Sequence, residues 1–465
     1  WPSGGPEEGG RDAHYNYGKY AVYPGNNLAD HLQPFVEGAF KLDGPTKTTG
    51  AIMPYYTISY GIDPSGKNVG NNFSKYILTD LLREKYHFDG IVCTDWMVTA
   101  DNKAIDSFDG KCWGVEELSV VQRHYEALKA GVDQFGGNND MKPVLAAFAL
   151  GVKEFGQQAW DKRIRASARR LLLPMFRTGL FENPYLDPAE TKKLVGNQDF
   201  MKEGYDAQVK SLVMLKNKHH VLPLKNQQLK VYVPKRYFPP VADFFGNKTK
   251  DYWDYPVSLE LVSHYYQVVD SPSEADFALV FIQGPMSGTG YDAADVKKGG
   301  NGYVPISLQY NDYVASAARA ESVAGGDAKE DFTNRSYRGK SVKTANKSDL
   351  LLVEATKQKM GAKPVIVVLA ATRPVIVEFE KSADAILVSF GTSNQPVLDI
   401  VSGKAEPSGL LPCQFPKDMK TVEEQKEDVP RDMIPYVDSE GHTYDFAYGM
   451  NWKGVIQDER VQKYK

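Results

Sequence analysis

The sequence predicts an α/β protein of two or more units, each built from short buried strands covered by helices. Three observations carry that reading. At 465 residues the chain is long enough for two or three domains. Short apolar, β-branched runs alternate with helical periodicities, the pattern of parallel βα units. Hydrophobic residues at 42% and charged residues at 25% describe an ordinary folded protein rather than a disordered or fibrous one.

From Trp1 to about Asn27 the chain is rich in Gly, Pro and charge, which is loop chemistry. Ala51-Ile52-Met53-Pro54-Tyr55-Tyr56 reads as a short strand that Pro54 brings to an early end. Phe73, Tyr76, Ile77 and Leu81 then recur at helical spacing. Phe88-Asp89-Gly90-Ile91-Val92-Cys93-Thr94-Asp95-Trp96 follows, and its Ile91-Val92-Cys93 run has the character of a strand buried on both faces. A helix over about Val115 to Lys129 precedes another short strand, Ala130-Gly131-Val132-Asp133-Gln134-Phe135. Two more helices are expected, around Met141–Glu154 and Asp161–Arg177. Gly179 and then Pro184 break the second helix and mark a domain exit.

Beyond the exit a helix is expected over Phe200–Leu215, then strands at Lys230–Val233, Phe277–Ile282, Val365–Leu369 and Ala385–Phe390. Helices at Leu350–Met360 and Gln395–Val401 lie between or after them, which again predicts a parallel, helix-covered sheet. Ser287–Asn346 is a long polar interruption and reads as loop. The first unit offers about three βα units, whereas an eight-fold barrel needs about 250 residues, so a barrel here is incomplete. The chain also begins at Trp1, with no initiator Met and no signal-like apolar stretch. That start predicts an upstream portion, either removed or belonging to something larger.

Composition excludes several classes. A net charge of −4 weighs against nucleic acid as the main partner, and no apolar run is long enough for a spanning helix. Three widely spaced cysteines, Cys93, Cys112 and Cys413, form neither a disulfide framework nor a zinc cluster, and Cys93 is expected in the core. Gly339-Lys340-Ser341 lacks the upstream Gly of a phosphate loop, and there is no Gly-x-Ser-x-Gly elbow. His219-His220 lacks ligand spacing and is placed in a turn, so no metal is expected. Triplets at Asn72, Asn247, Asn334 and Asn346 match glycosylation acceptors, a match short enough to arise by chance.

The best chemical leads are acidic residues just after buried parallel strands, where α/β folds place their active sites. Asp95 meets this condition as a nucleophile, a base, a metal ligand or simply a helix N-cap. Trp96 beside it favours function, because a large aromatic at a polar mouth suits a stacked ligand. Asp133 has the same local setting. Arg11, Asp12 and His14 form a polar cluster in a Gly-rich loop, either a solvated ion pair or donors for sugar hydroxyls or a carboxylate.

Several of these segments together resemble glycoside hydrolase family 3, which includes β-glucosidases, β-xylosidases and exo-glucanases. Phe88 to Trp96 is similar to the family's nucleophile motif, Phe-x-Gly-x-Val-x-Ser-Asp-Trp. Ala130-Gly131-Val132-Asp133, the segment Gly179 to Tyr185, Val213 to Asn217 with Leu222-Pro223-Leu224, and Pro407 to Pro412 follow in family order. The resemblance implies the C-terminal part of a (β/α)8 TIM barrel over residues 1–178, a linker over 179–210 and an α/β sandwich over 211–465. It implies a retaining, exo-acting β-glycosidase of β-glucosidase type, with Asp95 forming a covalent glycosyl-enzyme. Tyr56, Trp96, Arg11 and His14 would bind the sugar. No cofactor and no metal are implied, the partner is an oligosaccharide or β-glycoside, and the expected location is secreted or periplasmic.

Two departures accompany the resemblance. The Lys-His pair and the glycone-binding Asp of the family's earlier strands would lie before Trp1, so the missing barrel segment is itself an expected partner, as an upstream segment or a separate chain. The family's acid/base Glu is replaced by Thr289 in Gly288-Thr289-Gly290-Tyr291-Asp292-Ala293, and a second family position holds Ser393. Neither hydroxyl serves as a general acid near neutral pH. The acid is then Glu321, Glu330 or Asp292, or it is absent and the chain is a carbohydrate-binding protein on a degenerate scaffold.

Overall fold

The computed structural model describes residues 1–241, 247–325 and 334–463. The first region carries five short strands: β1 (Tyr20–Ala21), β2 (Ala51–Ile52), β3 (Ile58–Ser59), β4 (Ile91–Trp96) and β5 (Gln134–Gly136). Their pairings are all parallel, β1 with β3 and β4 between β2 and β5. β2 is cut to two residues ahead of Pro54, which has no N–H for a ladder. β4 is the buried run expected from the sequence, with Val92 wholly inaccessible. Cys93, expected in the core, is only half-buried, because the register with β2 stops at Val92 and leaves that flank uncovered.

Helices cover these strands. Tyr76–Lys85 buries Ile77, Leu78, Leu81 and Leu82 on one face. The helix expected from Val115 starts later, at Val120, because Ser119 and Gln122 form a reciprocal capping box. Met141–Phe155 and Gln157–Arg177 follow, and the chain leaves the second through Gly179 at φ 72°.

The second region is organised on an eight-stranded sheet. The helix expected over Phe200–Leu215 ends at Ser211, and Leu212 to Leu215 instead enter β6 (Val213–Asn217). A continuous apolar run reads equally as buried helix or buried strand, so periodicity alone does not separate them. β7 (Lys230–Tyr232) follows, then a hairpin of β8 (Arg236–Phe238) and β9 (Tyr252–Asp254), then β10 (Gln267–Val269) and β11 (Phe277–Gln283). Among the described residues, the long segment after β11 holds only the short helix Ala293–Lys297 and the pair β12 (Tyr313–Val314) and β13 (Ser341–Val342). β14 (Val365–Ala370), β15 (Ala385–Ser389), β16 (Met450–Asn451) and β17 (Gly454–Val455) complete the set.

The sheet order is β10-β7-β11-β14-β15-β6-β16-β17. The first five strands are parallel, as expected, while β6, β16 and β17 pair antiparallel and make the sheet mixed. Both faces are covered, so β14 and β15 are inaccessible along almost their whole length. Lys216 on β6 is buried as well, held by the Glu380 carboxylate and carbonyl.

The segment after β11 ties the two regions together. The Arg11 guanidinium donates to Gly290 O (3.1 Å) and Val304 O (2.9 Å), and its face lies over the Tyr303 and Tyr337 rings. Glu8 accepts from the Ala324 N–H (3.1 Å), and Asp428 accepts from the Gly25 and Asn27 N–H groups. Among the described residues no helix is long and apolar enough to cross a membrane.

Candidate active site

Asp95 lies at the carboxyl end of β4 and is 9% exposed. It caps no helix, since turns and loop follow and the next helix starts at Val120. Its Oδ1 accepts from the Trp96 N–H at 2.7 Å. Tyr56, delivered by the segment after β2, closes the other side. Its hydroxyl donates to Trp96 O (2.9 Å) and accepts from the Trp96 N–H (3.1 Å). Burial, and then the hydrogen bond and charge of Asp95, push the Tyr56 phenol far above its ordinary range, so it stays a protonated donor beside the carboxylate.

Trp96 is 66% exposed, but only on one side. A Cβ on Gly137, whose φ is 70°, would stand 2.9 Å from Trp96 Cδ2, and one on Gly136 would stand 3.1 Å from Cδ1. The indole therefore lies flat on a glycine floor and offers its other face to solvent next to Asp95. Met97, at φ 60°, turns the chain sharply out of the strand at that point.

His14 reaches the same place from the N-terminal loop. Its ring meets Tyr56 edge-on at 4.9 Å and stacks on Phe108 at 5.5 Å, and its Nδ1 pairs with Asp12 at 2.7 Å. Burial would raise the Asp12 carboxyl, but the His14 ring and N–H and the charge of Lys111 outweigh it and hold it below the usual range. Phe108, Tyr15, Tyr17 and Tyr291 continue as an aromatic run from the barrel region to the long loop of the second region.

Of the residues expected at the sugar site, Tyr56 and Trp96 flank Asp95, and His14 packs on Tyr56. Arg11 is placed elsewhere: it is 3% exposed and occupied by the carbonyls of Gly290 and Val304 between the two regions. Asp133 precedes β5 instead of following it. It is buried beneath the strand ends among Arg83 (2.7 Å), Arg170 (3.2 Å) and Arg163 (3.7 Å), which makes it a structural hub. The reading that set it beside Asp95 misjudged which end of the strand it occupies.

The acid/base candidates lie on the long loop. Asp292 is exposed and caps the helix Ala293–Lys297 by accepting from the Ala294 N–H (2.8 Å). Glu321 is exposed, and Glu330 lies outside the described residues. Thr289 is hydrogen-bonded to Tyr17, whose phenol burial raises to about 12. Ser393 is engaged with Gln208.

Three residues around the Tyr55, Tyr56 and His14 rings escaped the sequence reading: Lys111, Phe108 and Glu7. Glu7 is half-buried and hydrogen-bonded to Tyr55, and burial raises its carboxyl above the ordinary value. Nothing in its run of loop residues separates it from a solvated Glu. Lys111 is 2% exposed and sits between Gly110 and the buried Cys112-Trp113 pair. A single Lys against an apolar run was the one visible signal. His219 and His220 fall in a short turn with left-handed backbone. The acidic group Asp438, Glu440 and His442 is a hairpin turn in which Asp438 already accepts from the Glu440 and His442 N–H groups and the Tyr444 hydroxyl. Asn72 and Asn346 are buried with their Nδ2 groups donating to Tyr55 O and Gly284 O, which removes them as glycosylation acceptors.

The family model for the glycosyl hydrolase family 3 C-terminal domain matches residues 212–452, the eight-stranded region with its loops. Among curated relatives, "Probable beta-glucosidase C" of Aspergillus flavus is 33% identical over 452 residues, 96% of this chain and 59% of its own length. "Periplasmic beta-glucosidase/beta-xylosidase" of Dickeya chrysanthemi is 28% identical, covering 97% of this chain and 59% of its own. The chain thus spans about three fifths of the length of the curated relatives it matches. A solved β-glucosidase from Listeria innocua shares the fold with a TM-score of 0.59 at 16% identity, over 95% of this chain and 56% of that one. On these matches, the chain belongs to glycoside hydrolase family 3.

Proposed function

We propose that this protein is a retaining, exo-acting β-glycosidase, β-glucosidase-like in its sugar. The observation that carries the reading is the Asp95 carboxylate at the mouth of a buried parallel strand, flanked by the Tyr56 hydroxyl and the open face of Trp96. Relatives named as β-glucosidases and β-xylosidases support the substrate class. In the first step Asp95 attacks the anomeric carbon, forming a glycosyl ester as the bond to the leaving oxygen breaks, and a carboxylic acid protonates that oxygen. In the second step the resulting carboxylate takes a proton from water, whose oxygen displaces Asp95 and restores the anomeric configuration. Trp96 stacks on the terminal sugar, and the Tyr56 hydroxyl steadies Asp95. Glu321 or Glu330 is the acid in this reading, since Asp292 is spent as a helix cap.

The barrel region holds a three-stranded and a two-stranded parallel sheet, with the outer edges of β2 and β5 unpaired among the described residues. Further βα units, supplied upstream or as a separate chain, would cover those edges and complete the sugar site. The periplasmic names among the relatives favour an extracytoplasmic location. A second reading, a carbohydrate-binding protein without turnover, is favoured by Thr289 and Asp292 both being engaged in local structure.

Hydrolysis of chromogenic β-glucosides and β-xylosides, by the chain together with the completing units, separates the readings. Turnover lost on the order of 10⁴-fold in Asp95→Ala and nearly unchanged in Thr289→Ala is expected. Binding of sugar without turnover by the unsubstituted protein would establish the second reading.

A further inference from the structure

We propose that Lys111 is the buried counter-charge of the pocket around Asp95 and sets its preference for neutral over cationic sugars. The inference rests on the glycosidase reading above. Lys111 is 2% exposed, yet its ammonium donates to a backbone carbonyl, Asp109 O (2.5 Å), rather than to a carboxylate. It lies 4.1 Å from the centroid of the Phe108 ring and 5.6 Å from that of Tyr56, the two rings that also hold His14. The charged groups facing it are Asp95 from β4, Asp12 with its His14 partner from the N-terminal loop, and Asp109 from its own loop.

Its place is fixed by the backbone. The Lys111 N–H donates to Met97 O (3.0 Å), which folds the loop back onto the end of β4. Gly110 permits this fold, because a Cβ there would stand 2.0 Å from Ala100 O. Burial disfavours the ammonium, while Asp109, Asp95 and Asp12 oppose that cost through space. Ring faces add cation–π attraction. A positive charge is thereby held behind Tyr56, where it offsets the field of Asp95 and Asp12 at the sugar without touching the sugar. A neutral glycone carries no net charge in its ground state for that offset to act on, whereas a glycone carrying an ammonium is repelled by Lys111. Lys111 is thus a positioning and specificity residue that acts through the pocket's field.

The test compares two glycone mimics of like shape and different charge, isofagomine, which is cationic at neutral pH, and gluconolactam, which is neutral. Affinities are measured by calorimetry on the protein with its completing barrel units, for the unsubstituted chain, Lys111→Met and Lys111→Arg. The expected result is an isofagomine-to-gluconolactam affinity ratio raised about tenfold in Lys111→Met and unchanged in Lys111→Arg. A structural role alone would weaken both ligands together and leave the ratio fixed, which overturns the proposal. If the unsubstituted protein binds neither mimic, the glycosidase reading falls and the inference with it. If it binds both and the ratio does not move, only the inference falls. Lys111→Gln replaces Lys111→Met should thermal unfolding show the latter to be misfolded.

Discussion

The barrel region and the sandwich region use the same βα chemistry to different degrees of closure. In the sandwich, β11, β14 and β15 have partners on both sides and helices on both faces, and Leu279, Val367 and Leu387 are inaccessible. In the barrel region, among the described residues, β4 alone lies between two other strands, and the helices Met141–Phe155 and Gln157–Arg177 leave Met141, Leu145, Phe155 and Phe176 exposed. The closed region supplies stability and reaches across with its long loop. The open region carries Asp95, Tyr56, Trp96, His14 and Lys111. The proposed catalytic groups stand where the sheet is least complete, the side on which the proposed function places additional strands.

Side-chain truncation sharpens this contrast most strongly. Leu279→Ala in β11 is expected to cost about 2–5 kcal/mol in denaturant unfolding, the cost of a cavity in a closed core. Leu145→Ala on the open helix is expected to stay within about 0.5 kcal/mol. Adding the completing barrel units should raise the second cost and leave the first unchanged. Equal costs for both in the chain alone would break the comparison.

A smaller effect is expected at the glycine floor of Trp96. Gly137→Ala places a Cβ against the indole at a left-handed backbone position, which costs about 1 kcal/mol. Sugar affinity should fall about tenfold, the scale of one aromatic contact, with a shift in Trp96 fluorescence. Unchanged fluorescence and affinity would show that the ring tolerates movement.

The smallest effect is a pH dependence. Burial raises the Glu7 carboxyl above its ordinary value of 4.5, so the folded state holds that proton more tightly than the unfolded state. The stability this confers is present below about pH 4.5 and is lost as pH rises through the folded value. Glu7→Gln, neutral at every pH, should therefore gain stability relative to the unsubstituted chain as pH rises above about 4.5, and not below it. A difference that is flat with pH would contradict the assignment.

Much of the fold was legible because its strands are apolar runs too short for helices. β11, β14 and β15 lie within one residue of expectation, and β4 starts where expected but runs three residues past Cys93 to Trp96. β6 was hidden inside a helical reading, since Leu212 to Leu215 follow a real helix with no Gly or Pro at the junction. Mixed pairing was also invisible, because direction is set by connections and not by composition. At the site, Asp95 and Trp96 were legible from their place at a strand end, and Tyr56 only through the family resemblance. Arg11 and Asp133 were misplaced because a charged side chain looks the same in sequence whether it meets a ligand or a buried partner. Lys111 escaped because its burial depends on a loop that folds back at Gly110, a long-range event with no local signature.

The central claim is that Asp95 is the nucleophile of a glycoside hydrolase. A 2-deoxy-2-fluoro-β-glucoside with a good leaving group forms the glycosyl ester but hydrolyses it slowly, so intact mass followed by peptide mapping reads the nucleophile directly. The account predicts one added fluoroglycosyl unit per protein with its completing barrel units, located on the peptide containing Asp95. An adduct on another carboxylate, or turnover of glycosides without any adduct on Asp95, would contradict it.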